Sequence, residues 1–302
     1  MDSIKSQARA NNFNSFHFSF SGGEPTFHPD YLTLLKYYAD DIENTNYQSC
    51  HMTTNLSRTL AYFEQYVATT SNLHRVSVTA SWHREMAKKE EFREKLLFLQ
   101  ENDVYTTVNM VMVPKMFEEY YEEALYFHNA GINVTLKPQS DEKATNIVEG
   151  YTQDQIKRLH LGMPQREYSE HTLQKLGKKS RRPITEKLKN PYYAEVDEGV
   201  PANMQVELTD RSGKKWYLDQ AERFNAFGFN KFYGWKCNAG FQGIVIREPD
   251  GIVKRSYSCH DAPIGHIEKG FKIFSEPAPC ITKTCVSSVD NKMPKFLEIN
   301  KI

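Results

Sequence analysis

Five short runs rich in β-branched and aromatic residues punctuate the first half of the chain, at residues 16–20, 49–54, 75–81, 105–113 and 132–137. Between them, residues 31–43, 58–70, 85–102 and 117–130 carry apolar side chains at helical spacing, as in Leu96, Leu97 and Leu99 with Phe92. Strand and helix in strict alternation predict an α/β fold, a parallel sheet with helices outside it. From residue 141 to about 203 the chain turns charged and polar, and the basic patch Lys178-Lys179-Ser180-Arg181-Arg182-Pro183 reads as a solvated helix or linker. Beyond it, residues 204–208 and 215–218 flank the turn Asp210-Arg211-Ser212-Gly213 and predict a hairpin. A second hairpin is expected from residues 243–246 and 252–255 around Pro249-Asp250-Gly251. The expected organisation is therefore residues 1–140, a charged helical or linker region over 141–203, and a small α+β domain over 204–302.

Composition narrows the classes of function. The 302 residues suffice for one large domain and a smaller one, and 39% hydrophobic with 13% aromatic residues supports a packed core. Lys+Arg and Asp+Glu both number 38, so the net charge of zero calls for no nucleic-acid or anionic-membrane partner. No apolar stretch approaches the roughly 18 residues of a membrane span, and MDSIKSQARANNF lacks the apolar centre of a signal peptide, so a cytoplasmic location is expected. Of five cysteines, four lie in the last quarter, a distribution that in a cytosolic chain favours metal ligation over disulfides.

Candidate chemistry gathers at two places. Ser21-Gly22-Gly23-Glu24-Pro25-Thr26 follows the first strand, where two glycines let backbone pass close to a ligand and the Glu24 carboxylate can accept hydrogen bonds from a bound ammonium group. Sites in parallel α/β folds form at the carboxyl ends of strands, which here also present Asn55, Ser81, His83 and Lys137. Asn55 is equally suited to capping the helix that follows, and His83 to a turn. In the tail, Cys237, Cys259, Cys280 and Cys285 are separated by 21, 20 and 4 residues, and four thiolates complete either a [4Fe-4S] cluster or a tetrahedral zinc. Their spacing does not choose the metal. Cys50 lies in a strand with no partner near it in sequence and reads as core.

Phe20-Ser21-Gly22-Gly23-Glu24-Pro25-Thr26 resembles the S-adenosylmethionine-binding motif after the second barrel strand of radical SAM enzymes. The tail, from Gly234-Trp235-Lys236-Cys237 through Pro249-Asp250-Gly251, Cys259, Ile264-Gly265-His266-Ile267, Cys280 and Cys285, resembles that family's twitch or SPASM auxiliary domain, with cysteines for one cluster. The resemblance implies a partial (β/α)6 TIM-like barrel, lacking its first strand. It implies that Gly22, Gly23, Glu24, Pro25 and Thr26 bind S-adenosylmethionine, with Asn55 and Ser81 as cofactor contacts and His83 and Lys137 facing cofactor or substrate. Cys237, Cys259, Cys280 and Cys285 would hold an auxiliary [4Fe-4S] cluster. The implied reaction is reductive cleavage of S-adenosylmethionine to a 5'-deoxyadenosyl radical that abstracts hydrogen from a peptide or small-molecule substrate, with a flavodoxin or ferredoxin as electron donor. The sequence departs from the family in one respect: no cysteine precedes Cys50, so the catalytic Cys-x3-Cys-x2-Cys loop is absent, and a second cluster is expected only where such a segment lies upstream. The competing expectation is a non-catalytic iron-sulfur or zinc protein derived from such an enzyme.

Overall fold

The computed structural model describes residues 1–41, 45–141, 147–164, 206–209, 215–218, 230–259, 262–291 and 293–297. The basic patch at residues 178–183 and the turn at residues 210–213 lie outside the described residues. The chain divides into two units, one spanning Asn14–Lys187 and the other combining Met1–Phe13 with Leu188–Ile302.

After an opening helix α1 (Asp2–Ala10), the first unit alternates β1 (Ser15–Phe20), α2 (Tyr31–Asp40), β2 (Tyr47–Thr54), α3 (Leu60–Thr69), β3 (Arg75–Ser81), α4 (Lys89–Glu101), β4 (Val104–Met112), α5 (Phe117–Asn129) and β5 (Asn133–Pro138). All five strands are parallel, in the order β1-β2-β3-β4-β5. Helix α4 starts later than its periodicity suggests, because residues after β3 first make a turn in which Met86 and Ala87 N–H donate to the His83 carbonyl at 3.0 and 3.1 Å. Past the sheet, α6 (Gln153–Leu161) opens on a reciprocal cap: Thr152 Oγ1 accepts from Gln155 N at 3.2 Å and Gln155 Oε1 from Thr152 N at 3.0 Å.

Strand order that follows chain order means every crossover steps the same way, and right-handed crossovers then place the connecting helices on one face. Burial agrees. Phe16, Met52, Val76, Val78, Ala80, Val108 and Met110 lie on one face, buried with Leu35, Tyr38, Phe63, Tyr66, Leu96, Leu99 and Phe127 of the helices. Cys50 belongs to this core, 3.9 Å from the Tyr66 hydroxyl. The opposite face is polar: His17 and Ser19, Ser49, His51 and Thr53, Arg75, Ser77, Thr79 and Ser81, Thr107 and Asn109, Thr135 and Lys137. Parallel sheets ordinarily bury both faces, so a parallel sheet with a polar second face is built to line something other than a hydrophobic layer.

The second unit contains the antiparallel hairpin β6 (Val206–Thr209) and β7 (Lys215–Leu218), then β8 (Lys236–Cys237), β9 (Val245–Ile246), β10 (Ile252–Lys254), β11 (Pro263–His266), β12 (Gly270–Phe271), β13 (Ala278–Pro279), a one-turn helix α7 (Ser288–Asn291) and β14 (Lys295–Phe296). Strands β9 to β12 form one antiparallel sheet, larger than the expected hairpin, and β8 is flanked by β13 and β14 in another. Asp250 sets the β9–β10 turn, pairing with Arg247 and accepting from Ile252 N at 3.2 Å. Helix α1 belongs here through its polar side chains. Gln7 donates to the Phe271 carbonyl at 3.3 Å and accepts from Ile273 N at 2.8 Å, and Asn11 donates to the Phe274 carbonyl at 2.8 Å. Phe13 packs edge-on against Phe241. Among the described residues no helix is long and apolar enough to cross a membrane.

Candidate functional site

The end of β1 turns sharply through Gly22 at φ 96° and Gly23 at φ 56°, conformations that suit glycine, and a Cβ built on either would meet nothing within 4 Å. The turn is therefore open on its outer side. Glu24 then caps a short 3-10 turn, Pro25–Phe27, with Pro25 at its first position, where a missing N–H costs nothing. Oε1 of Glu24 accepts from Thr26 N at 3.2 Å, Thr26 Oγ1 at 2.7 Å and Thr54 Oγ1 at 2.7 Å, while Oε2 accepts from Asn55 N at 2.6 Å. A carboxylate has about four lone-pair sites, so Oε2 retains one direction for a further donor. Arg58 reinforces the turn: its Nε donates to the Thr26 carbonyl at 3.0 Å and its guanidinium lies over the rings of Phe27 and Tyr62. The Tyr31 and Tyr62 hydroxyls are buried without a hydrogen-bond partner among the described residues. Burial, with the Glu24 charge adding to it, pushes the Tyr31 hydroxyl far above the ordinary phenol range.

The expected site residues thus separate into two groups. Glu24, Thr26 and Asn55 are joined by direct bonds beside Gly22, Gly23 and Pro25. Asn55 does not cap the helix that follows, whose N-cap is Thr59; its backbone N–H serves Glu24 while its side chain accepts from Ser57 N at 2.9 Å, a local turn. Ser81 and Lys137 end their strands on the polar face, level with Asn109 and Val111 of β4. His83 is exposed, and its carbonyl closes the turn before α4. Thr54 and Arg58 join the Glu24 cluster without having been expected there. Thr54 carried a usable signal, a hydroxyl at the carboxyl end of the neighbouring strand; Arg58 carried none.

In the tail, all four cysteines are buried and pack in one cluster with Phe232 and Ala239. Short backbone ladders aim them. Cys237 on β8 lies opposite Ala278 of β13 and Lys295 of β14, Cys280 N donates to the Trp235 carbonyl at 2.7 Å, and Cys285 N donates to the Asn230 carbonyl at 2.8 Å. Each sulfur has a polar neighbour: Ala239 N at 3.4 Å from Cys237, Ser256 Oγ at 3.2 Å from Cys259, Thr282 Oγ1 at 3.4 Å from Cys280 and Ser258 Oγ at 3.7 Å from Cys285. Gly240 at φ 86° lets this loop close, since a Cβ there would stand 2.9 Å from the Phe274 ring.

Burial raises the thiols of Cys237, Cys259 and Cys285, the last to about 11, and nearby cations oppose it, Lys295 at Cys237 and Cys285 and Arg255 at Cys259. Arg255 is itself buried; its guanidinium donates to the carbonyls of Ala239, Pro279 and Ala278 at 3.2, 2.8 and 3.1 Å and forms no salt bridge among the described residues. Four buried thiols in one cluster, with hydroxyl or amide neighbours and two cations, are a donor set whose chemistry suits an anionic metal-thiolate centre. No three His, Cys, Asp or Glu side chains among the described residues are grouped closely enough to hold a single ion. Ligands of one tetrahedral zinc would lie about 3.8 Å apart, each bond being about 2.3 Å. In comparison with known proteins, the chain matches no family model and no curated relative.

Proposed function

We propose that this protein is of the radical SAM type, its sheet the wall of a partial TIM-like barrel and its tail the holder of one auxiliary [4Fe-4S] cluster. The observation that carries the reading is the Glu24 carboxylate, fixed between the ends of β1 and β2 with one acceptor direction left and an open glycine pair beside it. That arrangement suits the ammonium end of an amino-acid-like cofactor. The polar sheet face is compatible with it, since hydroxyl, amide and imidazole groups there can hydrogen-bond a polar cofactor or substrate. Bound at this mouth and reduced by an iron-sulfur cluster, S-adenosylmethionine supplies a 5'-deoxyadenosyl radical for hydrogen abstraction. The chain's own residues hold and orient: Gly22 and Gly23 admit the ligand, Thr26, Thr54 and the Asn55 amide keep Glu24 aimed, and Ser81 and Lys137 present polar groups along the same edge. In the tail, Cys237, Cys259, Cys280 and Cys285 would ligate the cluster, with Arg255 and Lys295 balancing its charge.

A second reading, a non-catalytic iron-sulfur or zinc protein, is favoured by one specific fact. The sheet unit carries only Cys50, buried under the helices, so these 302 residues supply no three-thiolate loop for a catalytic cluster. Two measurements separate the readings. Reduced protein mixed with S-adenosylmethionine is expected to yield no 5'-deoxyadenosine from these residues alone, and to yield it when a Cys-x3-Cys-x2-Cys segment is supplied ahead of Met1. S-adenosylmethionine is expected to bind that extended protein, and Glu24→Ala to weaken binding by about tenfold or more. Failure of the extended protein to bind the cofactor at all selects the second reading.

A further inference from the structure

The polar face of the sheet has a sign as well as a polarity. None of the five strands contains an Asp or Glu, whereas Arg75, Lys137, His17 and His51 all lie on that face. Three of these four cluster. Register places His17 of β1 level with Ser49 of β2 and Ser49 level with Arg75 of β3, and His51 stands one step further along β2, level with Ser77. Ser49 Oγ is 2.9 Å from His17 Nδ1, and Thr79 Oγ1 is 2.9 Å from His51 Nε2. Each imidazole therefore has one nitrogen fixed by a hydroxyl, which sets the ring's orientation. His51 Nδ1 is shut away from the surface and has no hydrogen-bond partner among the described residues. Arg75 lies with its guanidinium over the Tyr105 ring, 5.5 Å from its centroid, and forms no salt bridge among the described residues.

A half-buried guanidinium beside two oriented imidazoles, with no carboxylate on any of the five strands, is an uncompensated set of donors. We infer that His17, His51 and Arg75 form a binding site for an oxyanion, a carboxylate or phosphoryl group carried by the small molecule that occupies this face of the sheet. The fork of Arg75 matches two oxygens of such a group, and an imidazole N–H can donate to a third position. The groups facing the imidazoles agree with this. His51 is held at about 4 by burial and then by Arg75, and His17 is lowered by burial, His51 and Arg75 in that order. His17 is exposed, so an anion can reach it from solvent. An oxyanion seated among them offsets the Arg75 charge and raises both imidazoles. The inference concerns the sheet face alone and does not depend on the radical reading of the mouth or on a cluster being present.

The test titrates the full 302-residue chain, without reconstitution, with inorganic phosphate and separately with acetate, following the histidine ring resonances by NMR. The expected result is a saturable shift of the His17 and His51 signals with at least one probe and a rise in their apparent pKa. Response to phosphate alone assigns a phosphoryl group, and response to acetate alone a carboxylate. Arg75→Gln is expected to weaken binding by about tenfold or more, the loss of a charge-assisted bidentate contact, with Arg75→Lys intermediate. Lys36→Gln, the same charge change on the surface of α2, should leave it unaltered. Absence of a saturable shift with either probe, or equal binding by Arg75→Gln, overturns the site.

Discussion

The two units are held together by different kinds of interior. Helices α2 to α5 and the parallel sheet enclose Leu35, Phe63, Leu96, Leu99, Phe127 and many others, a continuous apolar layer. The tail from residue 230 onward buries only Phe232, Cys237, Ala239, Val253, Cys259, Ile273, Cys280 and Cys285 among its described apolar side chains, so half of that set is cysteine. Its described strands from β8 onward are two to four residues long. Ladders that short cannot stabilise a fold by themselves, and small domains with thin cores rely on metals or cross-links. The lesson is a division of labour: hydrophobic burial specifies the sheet unit, while the tail depends on what its sulfurs bind.

The comparison breaks most visibly at a cysteine. Cys259→Ala in reconstituted protein should remove most of the roughly four iron and four sulfide expected per chain, and abolish an unfolding transition of the tail while the sheet unit melts as before. Iron content and calorimetry check this together, and a single cooperative loss of both transitions would show that the units are not energetically separable. Next in size, Phe127→Ala, which empties a site packed by Trp82 and Phe92, should cost the sheet unit about 3–5 kcal/mol and leave iron content unchanged. Denaturant unfolding measures it. Glu24→Gln keeps the shape but loses the charge that Thr26, Thr54 and Asn55 N–H address, and a cost of about 1–2 kcal/mol is expected for a partly exposed group.

A further effect is a pH dependence confined to the sheet unit. His51 is lowered from 6.5 to about 4, so between these values the unfolded chain binds a proton that the folded chain does not. Stability is complete above 6.5 and falls as the pH drops toward 4. His17 is lowered over the same window, so His51→Gln should reduce that slope in thermal melts and leave the His17 part, and an unchanged slope would place its origin in another group.

Much of this was written in the chain, and the exceptions have physical causes. The five strands and helices α2 to α5 of the sheet unit follow from β-rich runs and helical spacing, because each element is long enough to show its pattern. Strands β8 and β12 to β14, of two residues each, have no period to read. Helix α1 was invisible for a different reason: DSIKSQARA offers little apolar face, and its place is fixed by Gln7 and Asn11 bonding to backbone. At the candidate site, Gly22, Gly23 and Glu24 were legible from their order alone. Thr54 was signalled only by a hydroxyl at the carboxyl end of β2, and Arg58, in the loop after it, acquires its partners only when the strands are laid side by side. His17 and His51 depended on register, which no single strand displays.

The Gln7 amide, bonded to backbone on both sides of Lys272, makes the chain topologically re-entrant: the sheet unit is an insertion whose two ends both return to the same partner. Cutting the backbone once between Pro164 and Asn230 would therefore not yield two independent fragments. The first 13 residues would stay covalently joined to the sheet fragment while remaining seated in the tail, so a nicked molecule should travel as one particle in native gel filtration and separate only in denaturant.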